Sequence, residues 1–102
     1  FFGKLGYIFN PKFTDDNAAC MIIGDNIFAM LIVEKLFKTF TPKDICDASK
    51  QTETMTCLTV ESRQKVDELV AKALAAGGSS SMPAMEMDGM YSHSYQDLDG
   101  HI

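Results

Sequence analysis

Glu34 follows the apolar run IFAMLIV (27–33) directly. A carboxylate at the exit of such a run is either a metal ligand or general base turned into a pocket, or a strand end that meets water. In Met90–Gln96 (MYSHSYQ), Tyr91, His93 and Tyr95 fall on one face at the two-residue period of a strand. Two phenols and an imidazole there could line a pocket and hydrogen-bond a carbonyl or oxyanion, or they form a half-exposed cross-strand ladder. Met55, Cys57 and Thr59 share one face of MTCLTV (55–60), and Thr56, Leu58 and Val60 the other. If the second set packs under a helix, Met55 and Cys57 become an apolar, polarizable wall of a binding site. The methionines at 82, 85, 87 and 90 cluster near Pro83 and Gly89. They read as a flap over an apolar ligand, or as core filler on an irregular loop. His101 reads as a solvent-side strand residue. No GxSxG, phosphate loop, HExxH or Cys/His/Asp arrangement is present.

The 102 residues bound the chain to one small domain with enough apolar content for a modest core. A net charge of −5, with lysines and arginines scattered, argues against nucleic acid as partner. Cys20, Cys46 and Cys57 form no CxxC pair and lie at no metal-finger spacing, which reads as reduced thiols in a cytoplasmic protein. No apolar run approaches the roughly 18 residues of a membrane span, so no membrane partner is expected. FFGKLG at the start lacks the basic-then-apolar order of a signal peptide.

The elements that must position these residues follow from periodicity. Phe1–Gly6 reads as the last turns of an amphipathic helix stopped by Gly6. Tyr7–Phe9 is extended, Asn17–Ile23 is a buried strand, and Gly24-Asp25-Asn26 is a turn. Ile27–Val33 is apolar on both faces and is expected to be covered on both. Residues 41–54 are polar, carry Pro42 and lack periodicity, so they read as a linker. Met55–Val60 is a strand. Ser62 caps a helix on which Val66, Leu69, Val70, Ala73 and Leu74 recur at helical spacing, ending at Gly77-Gly78. Met82–Met87 is strand or loop, with Pro83 excluding a central paired position. Asp97–Gly100 (DLDG) is the expected tight turn of a hairpin whose second strand begins at His101.

The order helix end, glycine, strand, Asp-containing turn, strand occurs from Leu5 to Val33 and again from Leu74 to Ile102. The sequence therefore reads as two βαβββ units, 1–40 and 55–102, truncated at both ends. The first lacks its opening strand and the second most of its closing one.

On FFGKLGY, DNAACMIIGDNIFAMLIVE, LTVESRQKVDELVAKALAAGG and YSHSYQDLDGHI, the chain resembles the vicinal-oxygen-chelate superfamily of glyoxalase I, bleomycin-resistance proteins and extradiol dioxygenases. The resemblance is nearest to small bacterial glyoxalase/bleomycin-resistance-like members. It implies an α+β fold of tandem βαβββ units, with a curved, cup-like mixed sheet and helices on its convex side. It also implies a homodimer, and a small organic molecule bound or converted in the cup. One divalent metal ion (Ni, Zn, Mn or Fe) would serve a lyase or isomerase of the lactoylglutathione-lyase kind. Glu34 matches the family's carboxylate ligand and would be both metal-binding and catalytic. Met55 stands where metal-binding members carry His, and a thioether is a poor ligand for such ions. Substrate contacts fall to Met55, Cys57, Tyr91, His93 and Tyr95. The alternative is a metal-free protein that sequesters a small molecule or drug.

Overall fold

The computed structural model describes residues 1–102 and divides them into two compact units. One comprises residues 1–5 and 46–102, the other residues 6–45, so one boundary falls between Leu5 and Gly6 and the other inside the polar stretch 41–54. The architecture is α+β, with antiparallel sheets and few helices.

The 6–45 unit is built on one three-stranded sheet in the order β1-β2-β3, formed by Ile8–Phe9, Ala18–Gly24 and Ile27–Ile32. Cys20 and Met21, adjacent on β2 and therefore on opposite faces, are both buried. The burial on two faces expected of Ile27–Val33 thus belongs to β2, which has a hydrogen-bonded neighbour on each side. β3 is flanked by one strand and leaves Ile27, Phe28 and Met30 exposed. Apolarity on both faces of a run marks it as a strand but does not say which strand is central. Before β2, Asn10 caps a short 3-10 turn at Pro11–Phe13 by accepting from the Lys12 amide at 3.0 Å. After β3, Val33 is extended and the chain enters a four-residue helix, α1 (Glu34–Phe37).

The other unit is organised by α2 (Arg63–Ala75). Ser62 caps it as expected: its Oγ accepts from the Lys65 amide at 3.2 Å. At the far end the Gly78 amide donates to Ala73 O at 2.9 Å and the Gly77 amide to Leu74 O at 3.1 Å, with Gly77 at φ +100°. This is the paired-bond helix stop that requires a left-handed residue, and glycine adopts it without a Cβ penalty. Val70 and Ala73 are buried, whereas Leu74 is exposed. Phe2–Leu5 forms a 3-10 turn that packs against α2 through the buried Leu5.

Two short two-stranded sheets complete this unit. β4 (Ser79–Ser80) pairs with β7 (Tyr95–Gln96), and β5 (Met85–Met87) with β6 (Met90–Ser92). Met55–Val60, expected as a strand, forms no ladder. Its one backbone bond across the unit is from the Thr56 amide to Ile102 O, 3.0 Å. β-branched composition suits a pleated surface, but a strand exists only where a partner supplies a row of bonds.

The tight hairpin turn also lies elsewhere than expected. Asp88-Gly89 joins β5 to β6 with φ of +51° and +78°, the two positive dihedrals of a type I′ turn. At 97–100 the chain does reverse, with the Asp97 amide donating to His101 O at 2.9 Å, but no strand pair follows.

Candidate functional site

The densest polar constellation lies where the first two turns of α2 meet the β5–β6 hairpin. Arg63 and Asp67 are four residues apart and share one side of the helix. Glu86 and Tyr91 are cross-strand partners and share one face of the hairpin. The Arg63 guanidinium pairs with the Glu86 carboxylate and sits 4.9 Å from the Tyr91 ring centroid. That distance is within cation–π range. The Tyr91 hydroxyl donates to Asp67 Oδ1 at 2.7 Å, and His93 Nδ1 lies 3.5 Å from the same oxygen. Nδ1 is shielded from solvent and makes no hydrogen bond.

The electrostatics follow these contacts. Hydrogen bonding to Glu86, with the carboxylate charge behind it, raises the Arg63 pKa. The Tyr91 phenol is also held above its ordinary value, first because it donates to Asp67 and then through burial. Ionising it would place a second anion against that carboxylate. Asp67 Oδ1 lies beside Nδ1 without accepting from it, so no hydrogen bond holds the imidazole at this atom. The chemistry available here is hydrogen bonding centred on the Asp67 carboxylate.

Tyr91 and His93 share a face as the two-residue period predicts, and the structure brings them together at Asp67. Tyr95 is half-buried on β7, its ring 6.2 Å from that of Phe1. Arg63, Asp67 and Glu86 are not legible as site residues in the sequence. The polar side of an amphipathic helix ordinarily faces water, and only their spacing relative to the hairpin singles them out.

Glu34 is not a strand end. It is the exposed first residue of α1, in the 6–45 unit. Met55 and Cys57 are exposed in the irregular stretch of the other unit, Met55 to 63%. A carboxylate at the start of a four-residue helix and a solvent-facing thioether do not make a donor set for nickel, zinc, manganese or iron. Asp97, Asp99 and His101 have ligand atoms within 4.8 Å of one another. Asp97 Oδ1 already accepts from the amides of Asp99 and His101, as an Asp at a turn does.

Among solved structures, the chain is similar to hypothetical protein SA1046 from S. aureus, with 28% identity and a TM-score of 0.81. The match covers 98% of this chain and 74% of that one. The two share a fold. No family model matches the chain, and neither does any curated protein. No helix is long and apolar enough to cross a membrane.

Proposed function

We propose that the protein binds a small organic molecule in the manner of the glyoxalase/bleomycin-resistance branch of the vicinal-oxygen-chelate superfamily, and does so without a divalent metal. The reading rests on one observation. Met55, at the position where metal-binding members carry His, presents its thioether to solvent at 63% exposure. Cys57, exposed as well, lies two residues along the same irregular stretch. A thioether and a thiol at this spacing make a soft, polarizable surface suited to a flat apolar or aromatic ligand. The α+β architecture with antiparallel sheets and the short β4–β7 and β5–β6 pairs agree with the tandem βαβββ reading, in which such ligands lie on the concave side of a curved sheet. Tyr91 donates to Asp67, so its part is to hold the β5–β6 hairpin against α2.

A panel of flat aromatic fragments, titrated into chelator-treated protein carrying labelled methionine methyls, tests this. The expected result is a saturable shift at Met55, equal with and without added nickel or zinc, with binding read from the fragment's own signals lost in Met55→Ala. Binding only in the presence of metal, with near one metal per chain by elemental analysis, would instead favour the lyase or isomerase reading. No perturbation of Met55 by any fragment would overturn the proposal. Sedimentation of the same sample reads the expected homodimer.

A further inference from the structure

Four of the chain's seven methionines, at 82, 85, 87 and 90, fall within nine residues. The β5–β6 register sorts three of them. Met87 and Met90 are direct cross-strand partners beside the Asp88-Gly89 turn, and Met85 lies two residues from Met87 along β5. Opposite residues and residues two apart share a face, so the three thioethers belong to one face of the hairpin. The other face carries Glu86 and Tyr91, which Arg63 and Asp67 on α2 engage. The methionine face is therefore the one turned away from α2. Its members are 42%, 59% and 65% exposed at Met85, Met87 and Met90.

Exposed strand pairs ordinarily carry β-branched or charged residues. Three flexible thioethers at such positions forgo β propensity and contribute little burial. What they share is a soft sulfur donor. Directly opposite side chains start about 5 Å apart at Cβ, and each methionine carries its sulfur two bonds further on a freely rotating stem. Three sulfurs can thus close on one point without backbone movement. Thioethers select soft ions such as Cu(I) over calcium, magnesium or zinc. Asp88, in the turn between Met87 and Met90, adds an anionic group beside them.

We propose that Met85, Met87 and Met90 form a thioether site for a soft monovalent metal ion of the Cu(I) type. The site is separate from the Met55–Cys57 surface and independent of that reading. Ag(I), which needs no reductant, is the probe, in chloride-free buffer. Thiols would compete, so the full chain carries Cys46→Ser and Cys57→Ser, while the third thiol, Cys20, is buried. The methionine methyl resonances are followed by NMR. At one equivalent of Ag(I) the signals of Met85, Met87 and Met90 shift and saturate, while those of Met21 and Met30 stay in place. Zinc at the same concentration moves none of the three. Bound silver, counted by elemental analysis after desalting, falls from near one per chain to none in M85L/M87L/M90L, and the shifts of Met85 and Met90 weaken in M87L. Absence of any shift in the parent protein overturns the proposal whether or not the triple variant folds. One silver per chain retained by the folded triple variant, or an equal response to zinc, overturns it too.

Discussion

Two hairpins in this molecule turn through an aspartate followed by a small polar or glycyl residue, and they solve the turn differently. At Asp88-Gly89 both central residues have positive φ, and the register runs without interruption from Met87↔Met90 to Met85↔Ser92. At Asp25-Asn26 neither residue has positive φ, and the β2–β3 register slips by one residue between Ile22 and Gly24. A primed turn matches the right-handed twist of the strands it joins, whereas an ordinary turn splays them. A bulge with its added twist accommodates the second case. The difference teaches what holds each hairpin. β2–β3 is long and apolar, with Cys20 and Met21 buried, so its ladder and packing tolerate an imperfect turn. β5–β6 is three residues a side and exposed along β5, so its turn must supply the geometry.

The largest effect should come from the second Asp-Gly pair, Asp99-Gly100, which forms no ladder. Gly100 has φ +92°, and a Cβ there would stand 2.7 Å from Ala48 O. Gly100→Ala combines a left-handed penalty with a backbone clash and should cost roughly 2–4 kcal/mol in urea unfolding. A loss no greater than that of Gly89→Ala would show that the 97–101 turn relaxes away from Ala48. Gly89→Ala itself meets no atom within 4 Å, so only its φ of +78° matters. It should cost about 1 kcal/mol. Asn26→Ala, at negative φ, should change stability by less than about 0.5 kcal/mol. Equal costs at Gly89 and Asn26 would erase the distinction between the two turns.

Smaller again is the effect of the Asp67 contact on the hairpin's polar face. The Tyr91 pKa is raised in the folded protein chiefly by its bond to Asp67. A raised folded pKa means that the folded state holds this proton more tightly. The contribution is therefore whole below the unfolded phenol value of about 10 and is lost as pH rises through the folded pKa. Ultraviolet titration should find Tyr91 ionising late alongside Tyr7, which burial raises, and Asp67→Asn should bring Tyr91 alone back toward the ordinary range. An unchanged number of late tyrosines in the variant would mean that burial, not the carboxylate, raises Tyr91.

Ser62 as N-cap, Gly77 as helix stop, the strand at 18–24 with its Asp-Asn turn, and the shared face of Tyr91 and His93 were all legible from residue type and spacing. Each is decided within a few residues of chain, by a side-chain oxygen near an amide, a missing Cβ, or the pleat itself. Of the candidate site, the residues of the Tyr91–His93 pair were legible, but not their partners Arg63, Asp67 and Glu86. Spacing says which residues lie side by side on one element and says nothing of what another element brings against them. The same limit explains Met55–Val60, whose composition suits a strand yet finds a single backbone bond, and Glu34, which leaves β3 into a helix. It also explains the two Asp-Gly pairs. The sequence by itself determined the caps, the faces and the two-residue periods. Which strand is central, which Asp-Gly closes a hairpin and which face of that hairpin meets α2 were decided only by tertiary structure. Those outcomes depend on partners distant in the chain, and a hydrogen-bond ladder or buried face exists only when both sides are present.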